Sequence, residues 1–279
     1  MKALFNSCWG WGGLVVGLTS VLGQAKCNPA APPAAPPAAT HAPAAPAGRL
    51  FHFSLLDAFL AGTFDGDFSV GQLRRHGDFG LGAFNHNDGE MVVLDGRVYQ
   101  VKADGRAYPA SDTLHTPFAC VNFFRPTRRL AVRAPLPQAA LQRYLDSALV
   151  PGNRLLALKI TGTFVRLRAR SNPPVRQRPY PPLARLIGQQ HVFAFDTVRG
   201  TFVGYRLPAY LKGVNLPGYH FHLLTADRQH GGHVLAYTLL RGEVEIALLT
   251  SYSVQLPRHP DFYRARLDQD RSQEVKKVE

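Results

Sequence analysis

Residues 218–235 read GYHFHLLTADRQHGGHVL. Tyr219 to Thr225 has the composition and alternation of a strand, Asp227 to Gly232 (DRQHGG) reads as a turn, and the chain returns as a second strand from His233. Strand side chains alternate between faces, so His220 and His222, two residues apart, point the same way. A hairpin then carries His233 back beside that pair. Three neutral imidazoles converging from adjacent strands form the ligand set of a catalytic zinc with an open position. Cobalt, nickel, iron and copper accept imidazole as well. His230, inside the turn, is a further candidate of unspecified direction. Set against this, a single histidine is more often a satisfied or surface polar residue, and a His-x-His pair alone is a weak signal. Spacing by itself leaves the metal site and the structural reading both open.

Outward from this hairpin, strand-like runs dominate. His191 to Phe195, Thr201 to Leu207, His233 to Leu240 and Glu243 to Thr250 follow the strand pattern. So do Leu155 to Ile160 and Phe164 to Arg170, separated by Thr161-Gly162. Met91 to Val101 predicts a hairpin about Asp95-Gly96. Helical spacing appears in Phe51 to Gly62, in Pro137 to Leu149, which has proline at its first position, and in a short run from Pro182 to Gln190. The charged stretch from Asp261 is a further helix candidate. The expected class is α+β, a two-part assembly of mixed or antiparallel sheets with a few helices.

The chain has 279 residues and a formal net charge of +13. Lys2 and Lys26 are the only charges in residues 1–48, so residues 49–279 carry net +11. With 46% apolar and 18% charged residues, the composition excludes wholesale disorder, collagen and a disulfide-dense scaffold. Residues 1–25 read as a secretory signal: a basic Lys2, the apolar stretch CWGWGGLVVGLTSVLG, and small residues Gly23 and Ala25 at the cleavage positions. The stretch is short and glycine-diluted for a membrane span. Lys26 occupies the place where a lipobox before Cys27 needs a small residue. Residues 26–48 read as a Pro/Ala-rich tether, and residues 49–279 as the folded domain that it carries. The mature chain would retain Cys27 and Cys120, which is no disulfide framework. An exported location, periplasmic or secreted, follows, with envelope association as a further option. After signal cleavage no integral membrane span is expected. A basic surface suits either an anionic small molecule or an anionic envelope. No nucleic-acid motif accompanies it.

Two further sets of residues carry chemistry. Glu90 stands directly before the apolar strand Met91 to Leu94, where a carboxylate can act as general acid or base, or simply be a turn acid. Arg166, Arg168 and Arg170 share one strand face by alternation. Such a face is usually solvated, although one guanidinium could clamp a substrate carboxylate.

Four blocks resemble the bacterial alpha-acetolactate decarboxylase family. They are GDFGLGAFNHNDGEMVVLDGRVYQ (residues 77–100), HTPFACVNFF (115–124), RARSNPP with RPYPPL (168–174 and 178–183), and GTFVGYRLPAYLKGVNLPGYHFHLLTADRQHGGHVL (200–235). The resemblance runs from about Leu50 to the C-terminus. It implies zinc-dependent decarboxylation of (S)-2-acetolactate, a small anionic 2-hydroxy-3-keto acid, to (R)-acetoin and carbon dioxide, with no organic cofactor, by a carboxy-lyase that is commonly a homodimer. It also implies that His220, His222 and His233 hold the zinc, that Glu90 and Arg170 are catalytic, and that a C-terminal carboxylate matches Glu279, with Glu274 as the fallback. Two positions depart from the family pattern: Ala83 replaces a threonine, and Asn87 replaces a leucine before Asp-Gly-Glu. These departures favour another reading, a metal-binding envelope module without turnover, and three histidine ligands also suit a metal-dependent hydrolase on the same fold.

Overall fold

The computed structural model describes residues 48–149 and 152–278. The expected signal and nearly all of the tether therefore lie outside the described residues, as does Glu279. Two sheets dominate. The first has seven strands in the order Ser251–Gln255, Arg49–Phe53, Phe118–Asn122, Phe79–Ala83, Glu90–Leu94, Arg97–Val101 and Ala107–Pro109. Only its outermost pair, Arg49–Phe53 with Ser251–Gln255, is parallel. The predicted hairpin is present, with Asp95 and Gly96 both at positive φ (52° and 72°), as a tight turn matched to strand twist requires. Phe51 to Gly62 differs from the helix expected there. Its first residues belong to the strand Arg49–Phe53, and the helix is the single turn Leu56–Leu60. Phe51, His52 and Phe53 at its start are all buried, a continuous run that sequence spacing alone does not separate from a helical stripe.

The second sheet is antiparallel and built on three long strands, Leu155–Ser171, His191–Leu207 and Gly231–Leu249, with the shorter Gly218–Thr225. Gly231–Leu249 pairs with Leu155–Ser171, which pairs with His191–Leu207, which pairs with Gly218–Thr225. Gly218–Thr225 then pairs back onto Gly231–Leu249. The circuit is closed, and its last closure is the register pair His222–His233. Phe164 stacks on Phe202 at 4.0 Å between ring centroids, and both are fully buried with Ile160, Leu167, Leu223 and Leu239. The helix Gln138–Leu149 covers this cluster through Leu141 and Leu145, one turn apart. A second cluster joins the two sheets, with Leu81, Val92 and Val101 of the first against Val203, Tyr205 and Ala247 of the second. This inter-sheet contact holds the first-sheet strand Glu90–Leu94 against the histidine hairpin. Sheets that are mixed in one case and antiparallel in the other, with a few short helices, bear out the α+β class.

Candidate metal centre and its cavity

The hairpin forms because its turn is tied locally. Thr225 Oγ1 donates to Asp227 Oδ1 at 2.6 Å, and the Gln229 N–H donates to the same oxygen at 3.0 Å. Gly231 follows, where a Cβ would lie 2.3 Å from the Leu223 carbonyl, so only glycine lets the strands close there. The return strand sets His233 directly opposite His222. The three ring centroids are 4.8 to 5.3 Å apart. One nitrogen from each ring lies within 4.8 Å of the others, and His220 Nε2 is 3.1 Å from His233 Nδ1. His230 sits exposed in the turn, away from this group.

Two features make the set fit a metal ion. His222 Nδ1 lies 2.8 Å from the Met91 carbonyl, which can only accept, so Nδ1 carries a proton and Nε2 is the nitrogen that would coordinate a metal. Burial holds the His233 pKa well below the ordinary imidazole value, helped by the neighbouring Arg170 and His222, so this ring is a neutral donor. A second group, Asp65, His259 and Asp261, is equally compact. There the Arg178 guanidinium already pairs with Asp65 and approaches Asp261 at 3.9 Å, filling the cation's place.

Glu90 opens the strand Glu90–Leu94 and is buried. Gly89 before it has φ +83°, and a Cβ there would meet the Val101 carbonyl at 2.3 Å, so the glycine sets how the chain enters the strand. Glu90 Oε2 is 3.5 Å from His222 Nε2, and Glu90 Oε1 accepts from Asn172 Nδ2 at 3.0 Å. Arg170 lies opposite His233 in the strand register and is buried, donating through Nη1 to Gln190 Oε1 at 2.9 Å. The expected face of three arginines is not formed. Arg166 and Arg168 are exposed, and Arg170 is turned inward. The physical reason is a pair of register shifts between Val165 and Ala169, with Arg166 at φ +48°, which break strict alternation.

These side chains line one cavity whose remaining wall is apolar: Leu56, Phe59, Leu60, Phe118, Leu183 and Val278. Ala83 is in the lining, with its carbonyl held from behind by the Thr116 hydroxyl at 2.7 Å. Asn87, the other position that departs from the family pattern, is not a lining residue. It is buried behind Asn172. Glu274 is not brought to the cavity either. Its Oε1 accepts from Arg271 Nη1 at 2.8 Å. Glu279 lies outside the described residues, while its neighbour Val278 is in the cavity wall. Sequence reasoning missed Asn172 and Gln190. Asn172 lay inside a quoted motif without being singled out, and Gln190 carried no signal at all.

The alpha-acetolactate decarboxylase family profile matches residues 50–269. The alpha-acetolactate decarboxylase of Methanosarcina mazei is 41% identical over 230 residues, covering 82% of this chain and 80% of that protein. That of Bacillus subtilis strain 168 is 34% identical over 223 residues, covering 80% of this chain and 87% of that protein. The crystal structure of the Bacillus subtilis alpha-acetolactate decarboxylase superposes with a TM-score of 0.81 at 33% identity, covering 83% of this chain and 99% of that one. A Staphylococcus aureus protein of unknown function, described as similar to alpha-acetolactate decarboxylase, gives 0.78 at 25% identity, covering 83% of this chain and 100% of that one. By sequence and by fold, the chain belongs to the alpha-acetolactate decarboxylase family.

Proposed function

We propose that this protein is a zinc-dependent acetolactate decarboxylase that converts (S)-2-acetolactate to (R)-acetoin and carbon dioxide, as a step in acetoin formation. The observation that carries the reading is the convergence of a buried carboxylate and a buried guanidinium on three imidazoles in one otherwise apolar cavity. His220, His222 and His233 would hold the ion. Bound there, zinc supplies Lewis acidity to charge that develops on substrate oxygens as the carboxylate departs.

The chain's own residues do the rest. Arg170 presents a fixed planar cation beside His233 and orients the anionic substrate by pairing with its carboxylate. The apolar wall takes the methyl groups and keeps water out, which strengthens every charge interaction inside. When the carbon–carbon bond to the carboxylate breaks, its electron pair passes into the neighbouring ketone and leaves an enediolate. Glu90, as the carboxylic acid, gives its proton to the carbon that lost the carboxylate and is reprotonated from solvent once the products leave. A fixed donor on one side of a planar intermediate gives one enantiomer. Glu279, the residue after Val278, is proposed as a second carboxylate at the site. No organic cofactor is required, because the electron sink lies in the substrate. Export through residues 1–25, a tether over residues 26–48 and assembly as a homodimer complete the proposal.

The test is acetoin formation from racemic acetolactate by the purified protein, before and after chelation and with zinc restored. Acetoin formed without organic cofactor, lost on chelation and recovered with zinc is the expected result. Ala83, which places a methyl where the family pattern has a hydroxyl, favours a second reading, a metal-binding module without turnover. A folded, zinc-loaded protein that forms no acetoin would establish that reading instead.

A further inference from the structure

Glu90 needs more than its backbone to act as an oriented proton donor. The strand fixes its Cα, but two side-chain torsions and the carboxylate rotation remain free. Two buried amides remove that freedom. Asn172 Nδ2 donates to Glu90 Oε1 at 3.0 Å, which leaves the other oxygen, Oε2, as the one 3.5 Å from His222 Nε2. The same Nδ2 lies 3.4 Å from Asn87 Oδ1. An amide nitrogen has two protons, and here one faces each acceptor. Asn87 therefore selects the orientation in which Asn172 presents N–H to the carboxylate. The reversed amide would set its oxygen against both Glu90 and Asn87.

Both amides are built in. Asn87 and Asn172 are 1% and 6% exposed. Asn87 sits at φ +54°, a left-handed conformation that asparagine tolerates better than leucine. Asn172 follows the strand Leu155–Ser171, whose end is tied down by Ser171 Oγ donating to the Val101 carbonyl at 2.6 Å. Arg170 and Asn172, two residues apart, thus both reach the cavity from one anchored strand end.

We infer that Asn172, oriented by Asn87, is a positioning residue that holds the Glu90 carboxylate for proton delivery, and that the departure at Asn87 from the family pattern belongs to this arrangement. The inference rests on Glu90 carrying the proton, as proposed above. It assigns Asn172 no contact with substrate.

The test compares the zinc-loaded full chain with Asn172→Leu, Asn87→Leu/Asn172→Leu, Glu90→Gln and Glu90→Gln/Asn172→Leu, using acetolactate as substrate. Asn172→Leu is expected to lower kcat by about 10- to 100-fold, at or below the low end of general-acid effects. KM should move by less than about threefold, zinc stoichiometry should hold, and the enantiomeric excess of the acetoin should fall. Asn87→Leu/Asn172→Leu leaves no half-satisfied amide, but leucine at φ +54° keeps the melting temperature below that of the parent, and kcat should stay at the level of Asn172→Leu. On the Glu90→Gln background, Asn172→Leu should cost nothing further. Full kcat and unchanged product chirality in Asn172→Leu, alongside an impaired Glu90→Gln, would overturn the positioning role and leave that of Glu90 standing. Recovery of kcat in Asn87→Leu/Asn172→Leu would also overturn it, as a packing effect. An unimpaired Glu90→Gln would overturn both.

Discussion

Arg168 and Arg170 are two residues apart on one strand, yet the first is exposed and the second is 6% exposed. Alternation would have put them on the same face. The bulge before Ala169 does not, and nothing in the local composition announces it. The histidines are the opposite case, because their two-residue spacing and the glycine-rich turn contain the geometry found. Asn172 and Gln190 act through contacts with residues 82 and 20 positions away in sequence, and no local pattern encodes such pairs. Two expectations belong to single side chains. Arg170→Lys keeps the charge but loses the planar fork, so KM for acetolactate should rise about tenfold, with zinc content unchanged. Steady-state kinetics and metal analysis check this. Glu90→Gln removes the proton and nearly nothing else, so kcat should fall by about 100-fold or more while zinc is retained. A kcat within a factor of two of the parent would contradict the role given to Glu90.

Among the elements, the long strands differ most from what sequence reading predicts. Thr161-Gly162 and the Arg241-Gly242 break between two runs look like turns, as does the gap before Thr201. Gly162, Gly200 and Gly242 instead stand in register across three neighbouring strands, each of which runs on through the glycine. A Cβ on Gly162 would lie 2.4 Å from the Arg241 carbonyl, and one on Gly242 would lie 2.5 Å from the Thr161 carbonyl. The glycines mark where three strands approach too closely for any side chain, a requirement set by the neighbouring strands rather than by the local sequence. Gly96 is the contrasting case, a true turn residue at φ +72° with open space where a Cβ would go. Gly162→Ala should therefore destabilise the fold by about 1–3 kcal/mol through overpacking. Gly96→Asn, which tolerates the left-handed conformation, should cost under about 1 kcal/mol. Denaturant melts of the two variants distinguish these cases, and equal losses would contradict the reading of the glycine row.

At the scale of the whole molecule, the site exists because one sheet brings Glu90 to a histidine hairpin closed in the other. The sequence supports the class, the hairpin and the three histidines that it brings together. It does not reveal the closed circuit of strands or the packing of the two sheets, since both depend on pairings between distant segments. The same packing buries His52 completely, with Nδ1 on the Tyr252 hydroxyl at 2.7 Å. Burial pushes its pKa from 6.5 down to about 3. The unfolded chain thus takes up this proton below about pH 6.5, while the folded protein takes it up only near pH 3. Stability should fall as pH falls through that window, by about 1.4 kcal/mol per unit for one such group. His52→Gln should flatten the slope by one proton in denaturant melts between pH 6 and 4, and an unchanged slope would contradict the assignment. The central claim is that the closed hairpin holds one metal ion and that turnover depends on it. It is tested most directly by titrating zinc into chelated protein while recording acetoin formation from acetolactate. Activity should rise from zero and saturate at one zinc per chain, and His222→Ala should stay inactive throughout. Full activity in the chelated protein, or an active His222→Ala, would contradict it.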